Sequence, residues 1–201
     1  MHMRQEHLQD ALDKIVANLP AIERELNAAD SKLGDGDTGG MLARVVSAMH
    51  ATQLPGDGDF GATLSAYARA TAAATGSSLG TLIATAMLTI AKQTRGRPEV
   101  PWTELGPLLE QARDAMSARG GAGLGDKTVL DAVDAVARSI NGVEDSSTVH
   151  SAAQAAAVAT LEDFKDRPNK IGRARMCAEA SIGLDDPGML AVVRVIQAIG
   201  R

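Results

Sequence analysis

The segment DSKLGDGDTGGM at 30–41 combines three aspartates with four glycines. Asp30, Asp35 and Asp37 supply hard oxygen ligands with no His or Cys among them, which suits Mg²⁺ or Ca²⁺ better than zinc. The calcium-loop spacing D-x-D-x-D-G-x₅-E is not matched, because the first gap is too long and no Glu follows at the required place. Mg²⁺ usually takes few carboxylates and completes its octahedron with water and substrate phosphates. The three aspartates are therefore predicted metal ligands in a site that also binds phosphate.

Candidate phosphate-binding groups follow directly in the sequence. Thr38, Gly39, Gly40 and Met41 stand at the predicted start of a helix, where unpaired N–H groups and the positive dipole end attract anions. The glycine-rich loops at 76–80 and 120–125 also precede helices, and they offer N–H groups and room for a ligand. Carboxylates, metal and helix N-termini together predict a site for a nucleotide polyphosphate.

Other glycine-rich segments have plainer interpretations. DGDF at 57–60 is interpreted as a turn, and GSSLG at 76–80 taken alone fits a helix stop and start equally well. GAGLGDKT at 121–128 resembles a Walker A loop, but Asp126 separates Gly125 from Lys127 and no strand precedes it. We therefore predict that Asp126 is the N-cap of the next helix and that the segment is not a Walker A loop.

The rest of the chain predicts the helices that must position these loops. Apolar residues from Leu8 to Leu26 recur at three- and four-residue spacing, which predicts a long opening helix. Periodicity and Gly- or Pro-containing stops predict seven more, at 41–49, 60–74, 80–93, 102–118, 127–140, 146–164 and 188–199. Residues 171–180 are expected to be partly helical. Because the chain is 45% hydrophobic but only 2% aromatic, small side chains must build its core, and we predict a single all-α domain over 1–201.

The order of the loops along the chain predicts that several of them contribute to one site. In an up-and-down arrangement of helices, odd-numbered connections lie at one end and even-numbered ones at the other. The odd connections are the aspartate loop, GSSLG, RGGAGLGD and the segment 166–187 that ends in SIGLDDPG. All the glycine-dense loops are thus predicted to meet at one end of the molecule.

Composition excludes several classes of function. A net charge of −5 with scattered basic residues gives no face for a phosphate backbone, so nucleic acid is not an expected partner. No run of apolar residues has the length of a membrane span, so no membrane partner is expected. The lone Cys177 fits a reducing compartment, and we predict a cytoplasmic protein in which this thiol is inert.

These motifs resemble the nucleotide-binding L subunit of dihydroxyacetone kinases. The pattern D-x-x-x-G-D-G-D-x-G of that family is matched at Asp30, Gly34, Asp35, Gly36, Asp37 and Gly39. The likeness continues in order through GSSLGTL, GDKTVLDAV and GRARMCAEASIGLDDPG, and so covers essentially the whole chain. The resemblance implies a closed barrel of eight antiparallel amphipathic helices. It also implies ADP or ATP and two Mg²⁺ ions held by the three aspartates at one end.

The resemblance also assigns residues. It implies that Asp30, Asp35 and Asp37 are the metal ligands and that Thr38 to Met41 form the turn that faces the phosphates. Further nucleotide contacts are implied at Ser78, Leu79, Gly120, Gly121, Val129, Asp186, Pro187 and Gly188. The chain departs from the family at Thr38 (commonly His), Leu79 (usually Ser) and Ala180 (often Arg, with Arg173 and Arg175 nearby).

By this resemblance the chain is one part of a short-ketose kinase, and a separate K subunit binds the ketose and supplies the base. ADP would stay bound and be rephosphorylated by a phosphocarrier of the phosphotransferase system, or ATP would be consumed at each turnover. The sequence leaves both donors open, as it does a triose or a tetrose substrate. Two other hypotheses are a non-catalytic regulatory subunit that senses nucleotide and, less well supported, a helical calcium-binding scaffold.

Overall fold

The computed structural model describes residues 1–56, 58–172, 175–176 and 178–200. Asp57, Arg173 and Cys177, to which the sequence analysis assigned roles, lie outside these residues. Eight α-helices occur in the described part of the chain: α1 Gln5–Asp30, α2 Thr38–His50, α3 Phe60–Ala74, α4 Ser78–Gln93, α5 Leu105–Gly120, α6 Val129–Ser139, α7 Ser146–Phe164 and α8 Pro187–Ile199. Two short strands are β1 His2–Arg4 and β2 Glu99–Pro101. Each of the eight helices was predicted.

The helices close into a ring. Each helix packs against the next one in the sequence, and α8 packs against both α7 and α1. Short connections make neighbouring helices antiparallel. The predicted all-α fold, a closed barrel of eight antiparallel helices, is confirmed.

The amphipathic pattern of α1 explains how the ring is filled. Its apolar stripe is buried over five residues at alternating spacings of three and four: Leu12, Ile15, Leu19, Ile22 and Leu26. This stripe packs with buried residues of α2 and α8 in the largest hydrophobic cluster. Alanines that are fully buried, such as Ala112, Ala132 and Ala157, allow close approach of neighbouring helices where larger side chains would not fit.

A two-stranded antiparallel sheet was not predicted. Met3 of β1 pairs with Val100 of β2, and both side chains are buried beside Phe60 and Leu108. Each strand has only three residues, so neither shows a readable alternation. The pairing joins the start of α1 to the α4–α5 connection, at the end of the barrel opposite the aspartate loop.

The start of α6 corrects one prediction. Thr128, and not Asp126, is the N-cap: its side chain accepts from the N–H of Leu130, while Asp131 accepts from the N–H of Thr128. Asp126 instead accepts from the N–H of Gly123 at 2.8 Å and so stabilises the preceding turn. Residues 128–131 have the T-x-x-D pattern of a capping box, which indicates a helix start at Thr128 from the sequence alone.

The long α7–α8 connection is mostly irregular. Its described part contains a short 3₁₀ turn at Glu179–Ser181, which agrees in part with the helical character expected for 171–180. No helix in the described ranges combines the length and the apolar character that a membrane crossing requires.

Candidate functional site

The three aspartates of the predicted metal site lie together. Asp30 is the last residue of α1, Asp37 precedes α2, and Asp35 lies in the turn between them. One carboxylate oxygen from each falls within 4.8 Å of the other two. Asp30 is 9% exposed, whereas Asp35 and Asp37 are exposed to solvent. The cluster therefore has one anchored carboxylate and two that face outward.

Hydrogen bonds fix the orientation of the anchored carboxylate. Asp30 Oδ2 accepts from the backbone N–H of Asp37 at 2.9 Å and of Thr38 at 3.1 Å. Its other oxygen, Oδ1, accepts no hydrogen bond from a described residue and lies over Gly34, where an added Cβ would come within 2.7 Å of it. The loop thus closes on one oxygen of Asp30 and leaves the second without a described hydrogen-bond donor.

The N-terminus of α2 differs from the prediction. Its N–H groups were expected to be unpaired, but Thr38 donates to Asp30, and Gly39 and Gly40 both donate to Asn27 Oδ1, at 2.8 and 3.1 Å. Met41 donates to the carbonyl of Asp37. The expectation of unpaired donors here is therefore wrong, because α1 supplies two side-chain acceptors that local sequence did not reveal.

Met41 belongs to the core. Its side chain is 1% exposed and packs in the hydrophobic cluster with α1 and α8. Because its N–H is hydrogen-bonded as well, Met41 holds the start of α2 against the core. Nucleotide contact by Thr38, Gly39 and Gly40 stays a prediction.

Asn27 is a site residue that sequence reasoning missed. It precedes Asp30 by three residues, so both side chains project from the same side of α1 toward the start of α2. Together they accept four backbone N–H groups of the segment 37–40. A polar residue one turn before the first aspartate was the available signal.

Close packing explains much of the glycine density of the loop. A Cβ at Gly39 would lie 2.2 Å from the carbonyl oxygen of Glu23, so only glycine lets α2 meet α1 this closely. Gly36 has a φ of 77° and faces the Ser31 hydroxyl. Gly40 has no such contact within 3.4 Å. Helix packing at Gly39 and backbone geometry at Gly36 are therefore sufficient to require glycine without a ligand.

The N-terminus of α4 offers the unpaired donors that α2 lacks. Ser77 is the N-cap and accepts from the N–H of Gly80 at 3.1 Å. The N–H groups of Ser78 and Leu79 donate to no described residue. The Leu79 side chain packs between the two clusters that line α1–α2 and α6. Ser78 and Leu79 can therefore meet an anion through their backbone.

The other predicted nucleotide contacts lie at the same end of the barrel. Gly120 packs against Leu82 of α4, with a Cβ–Cδ2 distance of 3.2 Å if it carried a side chain. Gly121 has a left-handed φ of 74° and ends α5. Gly188 of α8 lies against Val129 of α6, where its Cβ would be 3.3 Å from that of Val129. These contacts bring the ends of the α3–α4, α5–α6 and α7–α8 connections together, as predicted.

Comparison with known proteins places the chain in a family. A family model described as the DAK2 domain matches residues 32–201. The chain belongs to the DAK2 domain family. The matched range begins two residues after Asp30, so it includes Asp35 and Asp37 of the cluster but not Asp30.

Several relatives of this DAK2 domain have described activities. A D-erythrulose kinase of Mycolicibacterium smegmatis is 32% identical over 187 residues, which cover 89% of this chain and 32% of that protein. The ADP-binding subunit DhaL of the PEP-dependent dihydroxyacetone kinase of Escherichia coli is 29% identical, over 87% of this chain and 85% of the subunit. The chain thus spans about a third of the D-erythrulose kinase but most of the DhaL subunit.

Solved structures show the same fold. The dihydroxyacetone kinase of Citrobacter freundii in complex with AMP-PNP and Mg²⁺ superposes with a TM-score of 0.72 at 22% identity, covering 98% of this chain and 34% of that one. The native form of that kinase gives a TM-score of 0.70. At this identity the likeness establishes the fold of the DAK2 domain.

One buried carboxylate at the candidate site, that of Asp186, has a raised pKa. Asp186 is the N-cap of α8 and accepts from the N–H of Met189 at 2.9 Å. Burial raises the pKa of Asp186 to about 6, although its hydrogen bonds to Met189 and Asn169 and the charge of Lys127 act in the opposite direction. Asp186 is therefore a buried acid that serves helix capping in this DAK2 domain.

Proposed function

We propose that the chain is the Mg-nucleotide-binding part of a short-ketose kinase of the dihydroxyacetone type. The observation that carries the proposal is the convergence of the Asp30, Asp35 and Asp37 oxygens within 4.8 Å, at the barrel end where α4 presents unpaired N–H groups. A cation site beside an anion site suits a Mg-nucleotide. The names of the relatives, two kinases and an ADP-binding subunit among them, agree with this chemistry.

The donor set fits Mg²⁺. Three carboxylates with no nitrogen or sulfur ligand among them match a hard cation, and Asp30 already has a fixed orientation. Asp30, Asp35 and Asp37 would hold the metal, one or two ions in number, and the metal would neutralise charge on the phosphates. The chain itself contributes position: α1 and α2 place the carboxylates, and Asn27 keeps the start of α2 in register.

The phosphates are assigned to the N-terminus of α4 in preference to that of α2. Ser78 and Leu79 have N–H groups without a described acceptor, whereas those of Thr38, Gly39 and Gly40 already bond to Asp30 and Asn27. The exposed Gly120 and Gly121 leave room for the nucleoside between α4 and α6. Val129 and the Asp186–Gly188 start of α8 close the far side of this space.

A second polypeptide or domain is needed for the reaction. The aspartates are assigned to the metal, and the buried Asp186 is occupied by helix capping, so we assign the base to a ketose-binding K partner. Exposed apolar side chains lie in the two loops of the site end, at Leu124, Met176 and Ile182, which are 55%, 85% and 48% exposed. An apolar rim formed by these loops suits a partner that covers the nucleotide during transfer.

Two phosphate donors are compatible with this site. A permanently bound ADP would be rephosphorylated by a phosphocarrier of the phosphotransferase system, and the E. coli relative is described as PEP-dependent and ADP-binding. An exchangeable ATP would be consumed at each turnover. A regulatory subunit that only senses nucleotide is the second candidate, and the core packing of Leu79 at a usual serine position favours it.

The deciding experiment identifies nucleotide in freshly purified protein. The protein is denatured with and without prior removal of Mg²⁺ by a chelator, and released nucleotide is identified by chromatography. Near-stoichiometric ADP that the chelator removes is the result expected for a bound coenzyme. Empty protein that binds Mg-ATP in a titration indicates the ATP-consuming kinase. Empty protein that binds neither Mg-ATP nor Mg-ADP overturns the proposal.

A further inference from the structure

The connection between α7 and α8 is held in place by a buried lysine. We name residues 165–186 the strap, because they run from the end of α7 past the loop 121–128 to the start of α8. The N–H of Lys170 donates to the carbonyl of Asp126 at 3.1 Å, which places the strap beside that loop. In its described part the strap has only short 3₁₀ stretches, at 175–176 and at Glu179–Ser181, so contacts with the rest of the protein must fix its position.

The buried side chain of Lys127 makes such contacts with the strap. Its side chain is 1% exposed, and its ammonium donates to the carbonyl oxygens of Lys165 at 2.9 Å, Arg167 at 2.8 Å and Ser181 at 2.8 Å. An ammonium has three N–H donors, so the whole donor capacity of Lys127 is used on the strap. The acceptors belong to both arms of the strap, which the lysine therefore ties together.

The backbone of Lys127 is also unusual. Its φ is 61°, a left-handed conformation that no other described non-glycine residue adopts. Such strain persists only where the surrounding structure determines it. Here the carbonyl of Lys127 accepts from Asn169 Nδ2 at 2.7 Å, so the strained peptide is itself a contact to the strap.

Asn169 extends the connection to α8. It is 1% exposed, its N–H donates to the Ser181 hydroxyl at 2.9 Å, and its Nδ2 also donates to Asp186 Oδ2 at 2.8 Å. Asp186 in turn caps α8 through Met189. A continuous series of buried hydrogen bonds thus runs from Lys127 through the strap to the first turn of α8.

Both ends of this series are parts of the candidate nucleotide site. Lys127 precedes Val129, the first residue of α6, by two positions. Gly188, in the first turn of α8, lies against Val129. The separation between these two helix starts therefore depends on the hydrogen bonds of Lys127 and Asn169. Lys127 is directed at backbone carbonyls and is not available to phosphate.

We propose that Lys127 is a positioning residue for nucleotide binding: it locks the strap against the starts of α6 and α8 and so completes the nucleotide site without touching the ligand. This inference rests on the proposed function. It predicts that a bound nucleotide and a locked strap stabilise each other, because each favours the same arrangement of α6 and α8.

The test compares Lys127→Met with Lys170→Met in the full chain. Methionine keeps the length of the buried lysine but cannot donate to the carbonyls. Lys170 is a matched strap lysine whose side chain is 60% exposed and whose ammonium lies 3.8 Å from Asp126 Oδ1. Mg-ADP affinity is measured by calorimetry, and amide exchange is followed by mass spectrometry in peptides from 165–186 and from α3.

Lys127→Met is expected to weaken Mg-ADP binding at least tenfold and to speed exchange in 165–186, with α3 unchanged. Lys170→Met is expected to match the wild type. Mg-ADP should slow exchange of the strap in the wild type and in Lys170→Met, but not in Lys127→Met. A purely structural lysine would not change this ligand response.

Other outcomes overturn the inference. A folded Lys127→Met protein with wild-type affinity, or with a strap that exchanges at the wild-type rate, shows that Lys127 does not position the site, and leaves the proposed function intact. If the wild type binds no Mg-nucleotide, both proposals fail together. If Lys127→Met does not fold, Asn169→Ala replaces it: a smaller loss of affinity with faster strap exchange supports the inference, and unchanged affinity with faster strap exchange contradicts it.

Discussion

At the residue scale, the candidate site separates side chains that face a ligand from side chains that hold the loop. Asp35 and Asp37 are exposed, so their charges contribute little to the fold. Asp30 and Asn27 instead accept backbone N–H groups, and they position the loop while Asp30 also presents its second oxygen. Substitutions of the two groups should therefore have different effects on binding and on stability.

Replacing Asp35 with Asn should abolish Mg-dependent nucleotide binding and leave the helical circular dichroism unchanged. The substitution removes the charge of one of three converging carboxylates, on an exposed side chain. Asp10→Asn, an exposed aspartate of α1 far along the helix from the loop, is the control of the same chemistry. Calorimetric titration with Mg-ADP checks both. Wild-type affinity in Asp35→Asn would disprove the metal assignment.

Replacing Asn27 with Ala should destabilise the protein by about 1 kcal/mol or more, since Gly39 and Gly40 lose the acceptor that caps α2. Asn27→Asp keeps an acceptor oxygen at the helix N-terminus and should retain most of the stability. Urea unfolding monitored by circular dichroism measures the difference. Equal stability of the Ala and Asp variants would show that this cap does not matter.

Asp186 should make stability depend on pH. Its pKa rises from an ordinary 3.8 to about 6 because it is buried, so between these values the folded state binds more protons than the unfolded state. The free energy of unfolding should therefore fall as the pH rises from 4 to 6. Relative to Asp186→Asn, the wild type should lose about 3 kcal/mol between pH 4 and pH 7.

Urea unfolding of wild type and Asp186→Asn at a series of pH values isolates this contribution, because the other carboxylates titrate in both proteins. Asn retains a side-chain acceptor for the N–H of Met189, so the start of α8 should persist. Parallel stability curves for the two proteins across this range would contradict the raised pKa.

At the element scale, the contact between α1 and α2 determines the shape of the aspartate loop. Gly39 lies directly on the backbone of α1, and the N–H groups at the start of α2 bond to side chains of α1. The conformation of the start of α2 therefore depends on its contacts with α1. This explains why its donors are occupied, whereas the start of α4, capped within its own segment by Ser77, keeps two N–H groups that donate to no residue in the described part of the chain.

Gly39→Ala should destabilise the protein by about 1–3 kcal/mol, because its Cβ would come within 2.2 Å of the Glu23 carbonyl oxygen and force the helices apart. Gly40→Ala is the matched control: its nearest neighbours lie 3.7 Å away, and alanine favours the helix. Thermal unfolding of both variants checks the prediction. Equal melting temperatures would show that the α1–α2 contact adapts to a methyl group.

At the scale of the whole molecule, ring closure brings the odd-numbered connections together at one end, and some of their apolar side chains are exposed. Leu124 of the α5–α6 loop is 55% exposed there, whereas Val158, which is 42% exposed, lies within α7 away from the loops. The exposed Leu124 therefore makes the site end the surface that we propose for partner binding.

Leu124→Asp should therefore weaken association with a ketose-binding K partner at least tenfold, because it places a charge in the apolar rim. Val158→Asp should have no such effect. The chain alone should phosphorylate no ketose, and adding the partner should give activity in the wild type and in Val158→Asp. Light scattering of the mixture and a coupled kinase assay measure both properties. Equal partner affinity of the two variants would place the interface elsewhere.

Local sequence pattern was sufficient for the helices and for the carboxylate cluster. Three- and four-residue spacing of apolar side chains predicted α1, because an amphipathic stripe reflects the period of the helix itself, and Gly- or Pro-containing stops helped to predict the other seven helices. The convergence of Asp30, Asp35 and Asp37 was also readable, since they are separated by only a few residues of one loop. Loop parity then placed the other glycine-rich loops at the same end.

Only the tertiary structure shows which groups are already occupied. Asn27 and the N–H groups of Gly39 and Gly40 come from different helices, and Lys127 meets Asn169 across more than forty residues of sequence. Hydrogen-bond partners of this kind depend on packing between elements, and no local period encodes them. For the same reason the loop glycines looked like ligand-binding positions, although packing against α1 requires Gly39 and backbone geometry requires Gly36.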